Sequence, residues 1–111
     1  MKQSDTLAWL MNWYASNCDG EWEHGYGVTI STIDNPGWSL LVELDGTDMD
    51  GVAFATVEHN LVDEQNWWRC WVKDNKFEGA GGPHELATMI EVFRAWVTTA
   101  SPFLDLPTPS A

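Results

Sequence analysis

Hydrophobic and polar positions alternate most regularly between Trp22 and Leu44. Tyr26, Val28, Ile30 and Thr32 alternate with Gly27, Thr29, Ser31 and Ile33, a period near two that belongs to a pleated strand. Asp34-Asn35-Pro36-Gly37 interrupts the run. Proline presets φ at the second position of a β-turn and glycine tolerates the positive φ that follows, so Pro36-Gly37 predicts a type II turn. Trp38, Leu40, Val42 and Leu44 resume the alternation, which makes the stretch a β-hairpin.

The flanks read differently. Ser4 or Asp5 can cap a helix in which Leu7, Leu10, Met11 and Tyr14 recur at three- and four-residue spacing and lie on one face. With the adjacent indoles, the helix is expected to pack on a sheet on one side and touch a second helix on the other. Trp9 and Trp13 broaden that stripe, and Cys18-Asp19-Gly20 ends the helix, with Gly20 suited to a left-handed C-terminal position. After the hairpin, Asp45 to Gly51 is an acidic, glycine-bracketed loop; Val52 to His59 predicts a third, irregular or edge strand; Leu61 to Asn66 predicts a turn. Trp67 to Lys73 predicts a fourth strand, with Trp68, Cys70 and Val72 on one face and Trp67, Arg69, Trp71 and Lys73 on the other. Asp74 to Gly82 reads as a glycine-rich loop leading to a helix that opens near Pro83. Leu86, Met89, Ile90, Phe93, Trp96 and Val97 form its apolar stripe, and Ser101-Pro102 ends it.

The order α-β-β-β-β-α predicts an α+β fold: a four-stranded antiparallel meander with an N-terminal and a C-terminal helix packed on one face. Residues 1–100 form one domain and 101–111 a proline-rich flexible tail. The opposite face of the sheet is then open, lined by Thr29, Ser31, Ser39, Glu43, Trp67, Arg69 and Trp71, with Leu41 left partly exposed there.

Composition narrows the function. A chain of 111 residues holds one core, and 44% hydrophobic residues exclude a disordered composition despite a net charge of −12. No apolar run approaches the roughly 20 residues of a membrane span, and the first ten residues lack the layout of a secretory signal, so a cytoplasmic location is expected. Cys18 and Cys70 sit in apolar contexts and are expected as free thiols. With 17 acidic against 5 basic side chains, the surface repels nucleic acid and membranes and attracts cationic partners. Eight tryptophans are more than so small a core readily hides, and an indole beside carboxylates often marks a contact surface.

Chemistry is sparse by comparison. The 45–51 loop alternates aspartates without the register of a calcium-binding EF-hand, and the 74–82 glycines lack the lysine and hydroxyl of a phosphate cradle. His24, His59 and His84 are scattered. Glu21, Glu23 and His24 are the one local group that could serve a metal-assisted hydrolase, though on a strand only the two glutamates share a side. No catalytic residue, cofactor or metal is expected. A second alternative is a small ligand-binding module in which Trp67, Trp71 and Glu43 stack a sugar or a planar base on the open face.

The run LAWLMNWYASNCDGEWEHGYGVTISTIDNPGW resembles the opening of the immunity protein 53 family, small bacterial proteins that accompany polymorphic toxins, and DNKFEGAGGPHEL is similar to that family's second block. The shared pattern falls on Trp9, Trp13, Tyr14, Cys18, Trp22, Glu23, Gly27, Asp34, Asn35, Gly37 and Trp38, then on Asp74, Asn75, Phe77, Glu78 and Gly79. Trp68 and Trp71 depart from it, standing where a smaller aliphatic and a polar residue are usual, and the proline-rich tail is an addition. The resemblance implies a non-catalytic protein that neutralises a co-encoded toxin; a monomer or small homo-oligomer is expected. A toxin that cuts nucleic acid presents a basic cleft, which an acidic, tryptophan-bearing surface could occupy. The expected contact residues are Trp22, Glu23, Asp34, Glu43, Asp45, Asp48, Asp50, Trp67 and Trp71.

Overall fold

The computed structural model describes residues 3–100. The tail expected at 101–111, and the side chain of Ser4 expected as a helix cap, lie outside what is described. Helix α1 (Gln3–Asn17) leads into a short helix α2 (Trp22–Gly25), followed by strands β1 (Val28–Ile33), β2 (Gly37–Glu43), β3 (Val57–His59), β4 (Trp68–Lys73) and β5 (Lys76–Gly81), then helix α3 (Leu86–Ala100). The five strands form one antiparallel sheet in the order β1-β2-β5-β4-β3, and α1 and α3 pack together on one face of it.

The expected α+β class holds, but the sheet has five strands rather than four and is not a simple meander. The difference originates at Asp74-Asn75, both of which have positive φ (54° and 60°). Two consecutive residues of that kind make the tight reversal whose twist matches a hairpin, and Asp and Asn tolerate the left-handed region better than most side chains. The stretch expected to be a loop therefore turns back as β5, with Val72 opposite Phe77 and Cys70 opposite Gly79. β5 then inserts between β4 and β2, pairing Leu40 with Gly79 and Val42 with Phe77.

The glycines that disguised β5 are what allow α3 to lie on it. A Cβ at Gly79 would stand 3.0 Å from Met89 Sδ and 3.4 Å from Cys70 Sγ, tighter than ordinary packing. The β1–β2 turn also differs from expectation. The Asn35–Pro36 peptide is cis, and Gly37 is the first residue of β2, outside the positive-φ region. Glycine is required there for space, because a Cβ would collide with the carbonyl oxygen of Gly81.

The third strand is shorter than the expected Val52–His59, and its three residues are exposed. Upstream of it Phe54 turns into the core, meeting Phe77 and Trp96 edge-on at 5.4 and 5.0 Å, while Trp96 Nε1 donates to the Ala53 carbonyl at 2.9 Å. That backbone is held by a side chain instead of a ladder. Trp67, expected in the fourth strand, lies just before it, its carbonyl accepting from Gly82 N. The last helix begins at Leu86 rather than Pro83, and buries Met89, Ile90, Phe93 and Val97 as its periodicity predicts.

Helix α1 presents the other of its two apolar stripes. Thr6, Leu10 and Trp13 are buried, whereas Leu7, Met11 and Tyr14 are exposed. The indoles decide the rotation: Trp13 and Trp9 meet Phe93 of α3 edge-on at 4.9 and 5.8 Å, and rings bury more area than Leu or Met. Polar contacts agree. Thr6 Oγ1 donates to Glu91 Oε2 at 2.6 Å, and Arg94 reaches Asp5 at 3.2 Å.

Candidate functional site

The carboxylates gather at the end of the sheet where β1 begins and β2 finishes. The first part of this end is the α1–α2 junction. Gly20 adopts a positive φ of 95°, and Asp19, two residues before the N-cap position Glu21, braces the start of the short helix, its Oδ1 accepting from the N–H groups of Glu21 and Trp22, both at 2.9 Å. Glu23 reaches back, accepting from Asp19 N at 3.0 Å and Gly20 N at 2.9 Å. The N–H groups of Trp22 and Glu21 hold the Asp19 carboxyl below the usual carboxylate range. The N–H groups of Glu23 itself, Asp19 and Gly20 do the same for Glu23.

The second part is the 45–51 loop. Leu44, Thr47 and Met49 are buried beneath it, and Thr47 Oγ1 donates to the Leu44 carbonyl at 2.8 Å. Asn75, from the β4–β5 turn, clamps the outside: its Nδ2 donates to Asp45 Oδ1 at 3.1 Å and Asp50 Oδ1 at 3.0 Å, and its Oδ1 accepts from Gly51 N at 3.0 Å. Trp22 joins the two parts. Its indole is 7% exposed, meets Trp13 edge-on, tilts against Tyr14, stacks on Tyr26, and donates to the Asp45 carbonyl at 2.8 Å. Asp19, Glu21, Glu23, Asp45, Asp48, Asp50 and Asp74 thereby surround one end of the molecule.

The open face of the sheet has another character. Its rows across the strands are Glu43–Lys76–Lys73, then Thr29–Leu41–Glu78–Trp71, then Ser31–Ser39–Ala80–Arg69–Glu58. Three carboxylates face three cations there, so this surface is balanced while the end beside it is acidic. Arg69 lies over the Trp71 ring, 4.6 Å from its centroid, and pairs with Glu58 at 2.9 Å. The guanidinium therefore covers a ring face that a stacked sugar or base would need.

The expected contact residues thus fall into three places. Glu23, Asp45, Asp48 and Asp50 meet at the acidic end, with Glu43 at its margin. Trp71 sits on the open face, and Asp34 and Trp67 lie at the far end of the sheet. Trp22 is a buried strut of the acidic end, not a surface anchor, because its ring and its N–H are both engaged within the fold. None of the eight tryptophans is fully exposed. Sequence reasoning gave no part in this end to Asp19, Asp74 and Asn75; for the last two, Asp-Asn between two alternating runs was the signal available.

The strand expected to carry Glu21, Glu23 and His24 is helical, and Glu23 is occupied by backbone N–H groups. Among the described residues, no group of three or more His, Cys, Asp or Glu side chains could hold a metal ion, and no helix is long and apolar enough to cross a membrane.

No curated protein and no solved structure matches the chain. The profile of one family, described as immunity protein 53, matches residues 7–98. That span includes α1 from Leu7 onward, the α1–α2 junction, the whole sheet with the Asn75 clamp, and α3 through Thr98. The chain belongs to the immunity protein 53 family.

Proposed function

We propose that the protein is a non-catalytic immunity protein that binds a cognate toxin inside the producing cell, and that the toxin is of nuclease type and presents a basic cleft. Family membership supports the class. The observation that carries the finer reading is the segregation of charge, with a band of carboxylates on α2, the 45–51 loop and the β4–β5 turn beside a balanced sheet face. Such a band raises the association rate with a positively charged cleft and suits occupation of it in place of nucleic acid. Lys73 and Lys76 stand at the boundary, so a basic partner approaches over the loop and α2, with Glu43 and Trp71 at the rim of the contact. Asp34 and Trp67 would contribute to a second contact zone only with a partner long enough to span the sheet.

The test is protection of cells that express the toxin domain encoded beside this protein, together with binding measured at several salt concentrations. Wild type is expected to protect and to form a stoichiometric complex that weakens with salt. Reversing two exposed charges, Glu21→Lys with Asp48→Lys, is expected to slow association at low salt by roughly tenfold or more. Failure to protect refutes the reading; a salt-independent complex indifferent to both reversals refutes the acidic end as the docking site.

A further inference from the structure

The stripe of α1 that is turned away from α3 stays largely exposed among the described residues, with Tyr14 at its end tilted against Trp22. Leu7 and Met11 are 49% and 60% exposed, and with Tyr14, Tyr26 and Ile30 they border a groove of about 410 Å³ between α1 and β1. β1 is an edge strand six residues long. The register places Gly27 opposite Glu43, with Glu43 N donating to the Gly27 carbonyl. Because bonded and non-bonded pairs alternate in an antiparallel ladder, the N–H and C=O groups of Val28, Ile30 and Thr32 point away from β2, toward the free edge.

Charge distinguishes this region from the rest of the surface. In a chain of net charge −12, residues 6–18 and 25–33 contain no Asp, Glu, Lys or Arg. Edge strands of soluble proteins are commonly blunted by a charge, a proline or a bulge. The opposite edge fits that pattern: β3 is only three residues long and carries Glu58, paired with Arg69. β1 carries none of these devices.

We propose that the free edge of β1 and the groove beside it bind a second copy of this chain, forming a twofold dimer with a continuous ten-stranded sheet. With Ile30 opposite the same residue of the other copy, Val28 pairs with Thr32 and every outward N–H meets a carbonyl. The twofold axis runs perpendicular to the sheet, which keeps both α1 helices on the same side, antiparallel across the seam. Leu7, Met11 and Tyr14 of each copy then roof the paired strands. The five exposed side chains present on the order of 500 Å² of apolar surface per copy, within the range of patches that are functional on monomers. Doubled, and with the paired strand edges added, that reaches the roughly 1,200 Å² at which specific interfaces begin. A charge-free seam lets two strongly acidic molecules meet without opposing carboxylates, whereas a basic partner finds no carboxylate there to pair with. The acidic end remains accessible, so the dimer is independent of the toxin-binding reading.

The test is sedimentation velocity on the full chain with amide hydrogen exchange on the same samples. Wild type is expected to dimerise, and more tightly as salt screens the remaining repulsion, opposite to the salt dependence of the toxin complex. The amides of Val28, Ile30 and Thr32 are expected to exchange at least about tenfold more slowly at high than at low protein concentration. Met11→Lys and Ile30→Lys, both at exposed positions, are each expected to raise the dimer dissociation constant about tenfold or more with unchanged circular dichroism. Trp71→Ala, on the open face, is expected to leave it unchanged. A protein that stays monomeric to about 1 mM, where even a weak pair is half associated, overturns the proposal. So does a dimer that survives both lysine substitutions, or protection of the β1 amides that arises only when toxin is added.

Discussion

Asn75 is one side chain that supports both the hairpin and the acidic loop, so its replacement measures how the two depend on each other. Asn75→Gly keeps the positive φ of the turn (60°) but removes two hydrogen bonds to the carboxylates of Asp45 and Asp50 and one from Gly51 N. Net contributions are about 0.5–1.5 kcal/mol for a neutral bond and about 1.5–3 for one to a charged group, with the lower values appropriate where water competes. The lower values add to about 3.5 kcal/mol, and because Asp50 is exposed and Asp45 half-buried, solvent screening reduces the total to about 2–3 kcal/mol. Glycine relaxes more easily into the left-handed region and also gains freedom in the unfolded chain; these two effects oppose each other and largely cancel. In a domain of this size the loss corresponds to a fall in Tm of about 10 °C or more.

Asn75→Asp isolates the electrostatic part. It preserves shape and turn preference but sets a third carboxylate against Asp45 and Asp50. At about 4 Å each like-charge pair is worth roughly 1–4 kcal/mol between the dielectric of water and that of a protein surface. Asn75→Asp should therefore be at least about 1 kcal/mol less stable than Asn75→Gly at low ionic strength, and the gap should narrow as salt is added. Urea unfolding followed by tryptophan fluorescence reads both variants, and an unchanged m-value identifies the difference as one of stability. If Asn75→Gly lies within about 0.5 kcal/mol of wild type, or if the two variants coincide at every salt concentration, the clamp is not what holds the loop.

Three further outcomes follow from the packing and the titrating groups. Gly37→Ala should prevent native folding, because the new methyl meets the Gly81 carbonyl backbone, while Gly79→Ala should cost only about 1–3 kcal/mol, since the Met89 thioether can shift; expression and unfolding curves separate the two. Asp19 and Glu23 have folded-state pKa values below their unfolded ones, so their stabilisation is fully present above the unfolded values and disappears as pH falls through the folded ones. Asp19→Asn should accordingly lose less stability than wild type between neutral and strongly acidic pH in parallel urea titrations. Burial pushes the Cys70 thiol up to about 12, so a thiol reagent at mildly alkaline pH should label the half-buried Cys18 in the native protein and Cys70 only on unfolding; rapid labelling of both would contradict the packing around β4.

Periodicity made the β1–β2 hairpin, the two faces of β4 and the core stripe of α3 legible along the chain, because each depends on local alternation that one buried face imposes. The α1–α2 junction was half legible. Gly20 marked the helix end, but a short helix whose flanking backbone N–H groups are taken up by the Asp19 and Glu23 carboxylates replaces the strand expected to carry Glu21, Glu23 and His24. The acidity of the chain and the density of aspartates in the 45–51 loop were visible as composition. Their gathering with Asp19, Glu21, Glu23 and Asp74 at one end was not, since it depends on Trp22 reaching Asp45 and Asn75 reaching Asp45 and Asp50 across long sequence separations.

By itself, then, the sequence determined the α+β class, a charge of −12 and a family pattern that runs from α1 to α3. Tertiary structure alone decided the strand order and the rotation of α1. Asp74-Asn75 permits a reversal, but only the fit of Gly79 beneath Met89 lets β5 lie between β2 and β4 under α3. α1 is apolar on two sides, so its own spacing offers two equivalent answers; the edge-on packing of Trp9 and Trp13 against Phe93 selects one and leaves Leu7, Met11 and Tyr14 facing out. Short-range patterns record what a segment can do, and the choice among those options is made by the volumes and ring faces of side chains distant in sequence.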